Sequence, residues 1–502
     1  MKKELLSPES MWRIFLTGHH LNTKIALIQP VPRTPVGRPA VPDTFPKGPA
    51  LRKNKYLSAA ALLAAALGAV AAGPGSLTPV AAQVGTVSEQ GTPPAGYSSW
   101  EELQAVQGPL VELADQIKGL VTRDSGFRFG SMLINHSERR LDVYWKGAPP
   151  SEIMSVLAAA DGRGVKSAVV QSPYTQAELQ AASQELVQDA IAAPGILVSV
   201  GPLSDASGLS VGVSGRAEQA SEIPALRDLA IPVTIQANQQ TATPASSTGA
   251  QLTADSDRWT DLTPLNGGDH INYLATNQGC TTAFNLNGPA TPSGSPDKVL
   301  TAAHCFWNEE KHAFDLTQRE VKIGANPVNV LIESIDQDHD IAVLRLNTND
   351  TSTNKIWTDT PTLNMHPIKA VTSTSGSVPN EYVCTNGAYS GIICGIRVTE
   401  TGQTVYNGKW WTYDQVKAWQ DDYSAAAGMG DSGGGIIGSW FQAATVKGTL
   451  STMLADPAHF IPLESCPGMH SPSGRYCSSV IWYTPITKLA AHPSWGTVDT
   501  TS

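Results

Sequence analysis

Three short stretches carry the residue types that nucleophilic catalysis needs. Val299-Leu300-Thr301-Ala302-Ala303-His304-Cys305 sets an imidazole at the end of an apolar run. Asp338-His339-Asp340-Ile341-Ala342-Val343-Leu344 sets carboxylates before one, and Gly430-Asp431-Ser432-Gly433-Gly434 sets a hydroxyl among glycines. A serine hydroxyl is a poor nucleophile until a neighbouring imidazole takes its proton. A buried carboxylate holds that imidazole in one tautomer and steadies its positive charge. Glycines let the backbone turn sharply, so that N–H groups face a developing oxyanion. Each stretch alone is weak. The chain has 11 His, a solvated acidic turn is the ordinary reading of Asp336, Asp338 and Asp340, and Gly-rich loops are common. The three together supply the hydroxyl, imidazole and carboxylate that acyl transfer needs.

Such groups need a rigid frame, and the second half of the chain has the pattern of one. From about Leu265, short apolar runs alternate with Gly/Asn/Ser/Thr turns, which predicts many short strands in a barrel or sandwich. One helix is expected near the end, over Pro485 to Ala491. All six cysteines (Cys280, Cys305, Cys384, Cys394, Cys466, Cys477) fall in this half. An even count confined to one region reads as disulfides formed in an oxidising compartment. There is no C-x-x-C pair to suggest a zinc ribbon or a thioredoxin-like motif. Six cysteines allow 15 pairings. Sequential neighbours are the simplest, since each closes a short loop.

The 502 residues allow two to four domains at roughly 100–200 residues each. The net charge of −10 argues against nucleic-acid binding by bulk charge. Only residues 1–60 are basic, with ten Lys/Arg against three Asp/Glu. Arg52, Lys53 and Lys55 precede an Ala/Leu run from Ala59 to Ala72 that Gly73-Pro74-Gly75 stops. A basic flank, an apolar core and small residues are the parts of a secretory signal. Ala69-Val70-Ala71 and Val80-Ala81-Ala82 are the candidate cleavage sites. Residues 1–56 are then a basic leader, either a long n-region or the result of a start assigned too early, and 57–82 the signal. Apolar runs of the length and bulk of a spanning helix are absent, so no stable membrane anchor is expected after signal removal.

Residues 83–124 read as a linker and a helix, with Ser98–Glu101 or Ser99–Glu102 as capping box and Leu103, Val106, Leu110, Leu113 and Ile117 in helical period. Residues 125–236 read as an α+β unit. Strands are expected at Met132–Ile134, Leu141–Trp145, Gly164–Val170, Gly195–Val200 and Leu209–Val213, and helices from Ser151, as cap, to Ala160 and from Thr175 to Ala192. Residues 237–264 read as a Gln/Thr/Ser/Ala-rich linker.

The three chemical stretches resemble the triad motifs of chymotrypsin-like (trypsin-like) serine proteases, in that family's His, Asp, Ser order. Gly267-Gly268-Asp269 with Cys280-Thr281-Thr282-Ala283-Phe284 resembles the mature start of streptogrisin and α-lytic-type bacterial proteases. Val383-Cys384 through Ser390-Gly391 to Cys394-Gly395 resembles that group's second disulfide loop, and Phe127 to about Val187 resembles its pro-region. The resemblance implies an all-β double β-barrel catalytic domain over 265–502, preceded by a smaller α+β pro-domain that assists folding and inhibits. It implies Ser432 as nucleophile, His304 as general base then acid, Asp340 as the group orienting His304, and the Gly430 and Ser432 N–H groups as oxyanion hole. Asp340 is preferred among its acidic neighbours because Ile341-Ala342-Val343-Leu344 follows it, as in the family. The expected pairs are Cys280–Cys305, Cys384–Cys394 and Cys466–Cys477.

The chain departs from the family around substrate. Ala426 stands six before Ser432, at the pocket base, and Ser451, Thr452 and Met453 stand along the binding strand, where the family has a serine and then small residues. An apolar lining cannot compensate the desolvation of a substrate cation, so uncharged residues before the cut bond are expected. The reading is a secreted serine endopeptidase made as a precursor, with proteins or peptides as substrates and its own pro-region as a partner, without metal, cofactor or nucleic acid. Two other readings compete. A protease-like binding protein would be catalytically silent. An α/β-hydrolase esterase would use Gly430-x-Ser432-x-Gly434 as its elbow, but needs the order Ser, Asp, His and leaves the His304 motif unexplained.

Overall fold

The computed structural model describes residues 92–501 except 124–127, 193–194, 238, 245–246, 249–256, 275–277, 288–296, 315, 317–319, 325–329, 348–349, 359–367, 442, 455–459, 462–465 and 469–474. The expected leader and signal lie outside the described residues. The first helix begins at its capping residues. Glu102 N donates to Ser99 Oγ at 3.1 Å, and Ser98 N and Oγ donate to Glu102 Oε2 at 2.8 and 2.7 Å. First-turn amides are satisfied in this way, and α1 runs Trp100–Arg123. Its Leu103, Leu110, Leu113, Ala114 and Ile117 are buried at helical spacing.

β1 (Phe129–Asn135) and β2 (Arg140–Trp145) pair antiparallel, and α2 (Ser151–Asp161) crosses to β3 (Lys166–Gln171), parallel to β2. The start of α2 differs from expectation. Pro150, at φ −66° and ψ 160°, holds the N-cap position without a side-chain bond, and Ser151 donates to Glu152. Proline already supplies the extended entry, so Ser151 falls inside the first turn. α3 (Gln176–Ala192) opens on a reciprocal pair: Glu178 N donates to Thr175 Oγ1 at 3.2 Å and Thr175 N to Glu178 Oε2 at 2.8 Å. β4 (Leu197–Pro202) and β5 (Leu209–Val213) pair antiparallel; after α4 (Pro224–Asp228), β6 (Val233–Gln236) lies parallel to β5.

Residues 237–264 carry more structure than a linker: β7 (Ala242–Pro244), β8 (Ser247–Thr248) and α5 (Asp257–Thr260). From Leu265 the chain is almost all strand. Its elements are β9 (Leu265–Gly267), β10 (His270–Tyr273), β11 (Gln278–Thr281), β12 (Asn285–Asn287), β13 (Lys298–Ala302), β14 (Trp307–Asn308), β15 (Ala313–Phe314), β16 (Glu320–Ile323), β17 (Val330–Asp336), β18 (Ile341–Arg345), β19 (Ser352–Trp357) and β20 (Ile368–Thr374). They continue with β21 (Tyr382–Gly387), β22 (Gly391–Tyr406), β23 (Trp411–Trp419), β24 (Ala427–Gly428), β25 (Gly435–Ile437), β26 (Ala444–Leu454), β27 (Phe460–Ile461), β28 (Cys477–Ser478), β29 (Val480–Pro485) and β30 (Thr497–Val498). A 3-10 helix over Ile486–Ala491 stands where a helix was expected.

These strands form two main sheets. One has nine strands in the order β30–β12–β13–β18–β17–β16–β10–β11–β8. Its core holds Ile271, Tyr273, Val299, Val321, Ile332 and Leu344. The other has 13 strands, and within it pairings run β21–β22–β23–β29–β26–β25 and back to β21. It also continues through β22 into β4, β5 and β6, with Val200 opposite Thr404 and Ser199 opposite Val405. Disulfides join Cys280 to Cys305, Cys384 to Cys394 and Cys466 to Cys477, with Cα–Cα distances of 6.3, 4.0 and 5.6 Å. Among the described residues, no helix is long and apolar enough to cross a membrane.

Candidate active site

β13 is buried along its whole length and delivers the chain into a 3-10 turn, Ala303–Phe306, that carries His304. Cys280–Cys305 ties this turn to β11. β18 pairs with β13 so that Ile341 faces Ala302. The residue before Ile341 is therefore brought beside the residues after Ala302. That residue is Asp340, at φ +55°, a left-handed conformation that aspartate tolerates better than most residues. Ser432 arrives from the other sheet, on the turn before β25.

The three side chains meet in a continuous chain of hydrogen bonds. His304 Nδ1 lies 2.7 Å from Asp340 Oδ2, and His304 Nε2 lies 2.7 Å from Ser432 Oγ. His304 N also donates to Asp340 Oδ1 at 2.8 Å. An ionised carboxylate only accepts, so Nδ1 carries the proton and Nε2 is left to accept from the serine hydroxyl. Asp336 and Asp338 take no part. Ser432 and His304 are 0% exposed and Asp340 is 1% exposed.

The turn around Ser432 requires its glycines. Gly430 has φ +98°, and a Cβ there would stand 2.2 Å from Tyr389 Cδ2. Gly433 has φ +82°, and a Cβ there would stand 2.1 Å from Thr301 Oγ1. Thr281 flanks the turn, with its N–H on Ser432 O at 2.7 Å and its hydroxyl on Gly430 O at 2.9 Å.

Two features of the site escaped the sequence reading. Ser451 was expected only along the substrate-binding strand; its hydroxyl donates to Asp340 Oδ2 at 2.5 Å and so helps hold the carboxylate. Asp431, next to Ser432, accepts from Gly428 N at 2.8 Å, Ser390 N at 2.9 Å, Tyr389 N at 3.2 Å and Ser390 Oγ at 2.5 Å. It also pairs with the buried Arg475 at 3.0 Å. Arg475 in turn donates to Met429 O at 2.7 Å, so the cation fixes both ends of the turn before the serine. The only sequence signal for Arg475 is its place two residues before Cys477.

Around the expected pocket, Ala426 and Met453 share one buried apolar cluster with Ala427, Leu450, Ile481 and Tyr483. Ala426 O accepts from Thr385 Oγ1 at 2.6 Å. Thr452 is buried and lies opposite Pro244 in the pairing of β26 with β7.

A second polar group stands on the turn that leads to Asp340. Asp336 Oδ2 accepts from His339 Nδ1 at 2.8 Å and from His492 Nε2 at 2.7 Å. His339 Nε2 also faces Asp414 at 3.9 Å. These carboxylates, Asp336 foremost, push the His339 pKa up to about 9.

With this geometry in place, the comparisons identify its class. The trypsin family matches residues 276–449, a span that contains His304, Asp340 and Ser432. The chain thus carries a trypsin-family serine endopeptidase domain. Solved structures similar to it include Thermobifida fusca protease A (18% identity, 47% of this chain and 98% of that chain, TM-score 0.32). Nocardiopsis protease is similar at 18% identity, over 45% of this chain and 95% of that chain, with a TM-score of 0.32. An alpha-lytic protease homologue is similar at 17% identity, over 45% and 96%, with a TM-score of 0.29. No curated protein matches the chain.

Proposed function

We propose that the chain is the precursor of an exported serine endopeptidase whose triad is Ser432, His304 and Asp340. The observation that carries this reading is the unbroken run Ser432–His304–Asp340–Ser451, with links of 2.7, 2.7 and 2.5 Å. Ser432 Oγ attacks the peptide carbonyl carbon while His304 Nε2 takes its proton. The oxyanion faces the N–H groups of Gly430 and Ser432. His304 then gives the proton to the departing amine, leaving an acyl ester on Ser432. Water, activated by the same imidazole, hydrolyses that ester. Asp340 keeps Nδ1 protonated throughout, and Ser451 holds Asp340.

Residues 125–236, preceded by the linker and helix of 83–124, serve as the pro-region and 265–502 as the two-barrel catalytic domain. The continuity of β4 with β22 supports this division of labour, because a folding template must share its hydrogen bonds with what it templates. Export follows from the signal expected over 57–82 and from the three disulfides. The apolar cluster that joins Ala426 to Met453 supports cleavage after small or medium uncharged residues rather than after Lys or Arg.

The test is a panel of peptide substrates with Ser432→Ala, His304→Ala and Asp340→Asn as controls. Each variant is expected to lose about 10⁴–10⁶ in kcat, and the losses should not add. Near-normal hydrolysis by Ser432→Ala would reject the mechanism. An inert wild-type protein that binds peptides would favour the silent binding protein. Hydrolysis of esters alone would favour an esterase.

A further inference from the structure

Among the described residues, two groups of side chains bring three metal-ligand atoms together. Cys280, His304 and Cys305 form the first, and they are committed elsewhere: the sulfurs to a disulfide, the imidazole to Asp340 and Ser432. Asp336, His339 and His492 form the second, and the hydrogen-bonded chain of the triad uses none of them.

Two imidazoles converge here on one carboxylate oxygen. His339 Nδ1 and His492 Nε2 stand 2.8 and 2.7 Å from Asp336 Oδ2, and the three ligand atoms all lie within 4.8 Å of one another. Asp336 Oδ1 accepts from His339 N at 3.1 Å, which fixes the carboxylate. Ligands at about 2.0–2.2 Å from a tetrahedral ion stand roughly 3.3 Å apart, so each imidazole needs to back away by only about half an ångström. The side chains of His492, His339 and Asp336 are 28%, 20% and 10% exposed, so an ion can reach them from solvent.

The surroundings orient the imidazoles. A metal-bound histidine commonly turns its other ring N–H to a carboxylate, which fixes the tautomer. His339 Nε2 faces the Asp414 carboxylate at 3.9 Å, so a proton on Nε2 and a free lone pair on Nδ1 is the arrangement that Asp414 favours. His492 is held by stacking on Trp495, with ring centroids 3.9 Å apart and planes at 8°. Lys488 pairs with Asp414 at 2.5 Å. Two carboxylates thus stand against one lysine, which leaves negative charge for a cation to offset when both imidazoles are neutral. Two imidazoles and one carboxylate suit Zn²⁺ and its neighbours rather than Ca²⁺ or Mg²⁺, which take oxygen ligands.

We propose that Asp336, His339 and His492 form a site for one divalent transition-metal ion of the zinc class, with Asp414 orienting His339 and water completing the coordination. Binding displaces the protons on His339 Nδ1 and His492 Nε2. Without the ion, those protons make the hydrogen bonds to Asp336. The ion joins the turn between β17 and β18, which ends at Asp340, to the segment just after the 3-10 helix of Ile486–Ala491. No sequence pattern announces this site, because His492 lies 156 residues from Asp336 and only the fold joins them.

The experiment uses the full chain with Ser432→Ala, so that no chain digests another, and without a polyhistidine tag. The protein is stripped with a chelator and titrated with Zn²⁺ at neutral pH by equilibrium dialysis. One Zn²⁺ per chain is expected. His339→Asn and His492→Gln each keep an N–H for Asp336 but lose the imidazole nitrogen, and each should weaken binding at least about 100-fold. Asp414→Asn, which does not touch the ion, should weaken it about 10-fold. His304→Ala should bind as the parent does. Zinc-edge X-ray absorption of the parent reads the ligands without any substitution: two imidazoles and oxygen donors at about 2.0–2.2 Å, with no sulfur. Absence of a bound Zn²⁺, binding that survives both histidine substitutions or is lost with His304→Ala, or a ligand set without two imidazoles would overturn the proposal. None of these results bears on the protease reading, which the peptide panel tests.

Discussion

The two sheets contribute to one site but differ in what else holds them. The nine-stranded sheet supplies His304 and Asp340 from adjacent strands, β13 and β18, whose register alone brings them together. The 13-stranded sheet supplies Ser432 and Ser451, and it does not end with the catalytic domain. β22 pairs with β4, Gln107 of α1 exchanges two hydrogen bonds with the Tyr382 backbone at 2.9 and 2.8 Å, and Lys118 donates to Ser377 O at 2.6 Å. Hydrogen bonds also join residues 92–236 to Gly376, Pro379 and Asn380, to Glu400 and Gln403 of β22 and to Lys417 of β23. The base and its carboxylate sit in a sheet that takes only the short β8 from the preceding stretch, while Tyr97, Trp100 and Leu103 share a buried cluster with its Leu300 and Ile341. The nucleophile's half shares its sheet with the segment that precedes it, which is where a folding template would act.

The comparison can be broken most strongly at Arg475. Removing this buried cation leaves the Asp431 carboxylate uncompensated beside the nucleophile. Arg475→Met should cost about 3–5 kcal/mol, and adding Asp431→Asn should recover part of it. Urea unfolding of both variants checks this. Equal loss in single and double variants would show that the pair is not what holds the serine turn.

A smaller effect is expected at the junction itself. Gln107→Ala strands a buried backbone N–H and a buried carbonyl of Tyr382, at about 2–4 kcal/mol for the uncut chain. The same substitution should leave the stability of the processed enzyme unchanged, since Gln107 would no longer be attached. Unfolding of uncut Ser432→Ala with and without Gln107→Ala gives the first value. No difference there would mean that the N-terminal region is not coupled to the nucleophile's sheet.

The smallest effect lies in the nine-stranded sheet. His339, beside Asp340, faces Asp336 and Asp414, with His492 and Lys488 at the same carboxylates. Its pKa is raised to about 9 from an ordinary 6.5, chiefly by the Asp336 hydrogen bond. A raised pKa means that the folded state holds the proton more tightly. The resulting stabilisation is complete below pH 6.5 and is lost as pH climbs through about 9. For a partly exposed pair this amounts to about 1–2 kcal/mol. Unfolding at pH 6 and pH 10 should show that loss in wild type and a flatter profile in His339→Asn. Identical profiles would remove His339 from the list of groups that steady the Asp340 turn.

What could be read from the sequence follows the source of each signal. Thr175 to Ala192 is legible as a helix because its cap and its apolar period lie within the segment. Leu209 to Val213 is legible because apolar Leu209, Val211 and Val213 alternate with the small residues Ser210 and Gly212. The triad motifs are legible because the chemistry demands rare residue types in fixed surroundings. β7 and β8 were not, since Ala242–Pro244 and Ser247–Thr248 take their hydrogen bonds from β26 and β11 and need no pattern of their own. Arg475 was not, because its partner Asp431 lies 44 residues away and only the fold joins them. Ser451 could be placed on the binding strand, but which way its hydroxyl turns depends on Asp340.

The most direct measurement of the central claim is covalent trapping. A fluorophosphonate reacts with an activated serine: the phosphorus–oxygen bond forms as the phosphorus–fluorine bond breaks and fluoride leaves. Protein that hydrolyses the peptide panel should be labelled and lose activity in parallel, with the phosphonate mapped by mass spectrometry to Ser432. His304→Ala, which lacks the base 2.7 Å from that hydroxyl, should label at least about 10³-fold more slowly. Labelling of another residue, or label at Ser432 that leaves hydrolysis untouched, would contradict the assignment of Ser432 as the nucleophile.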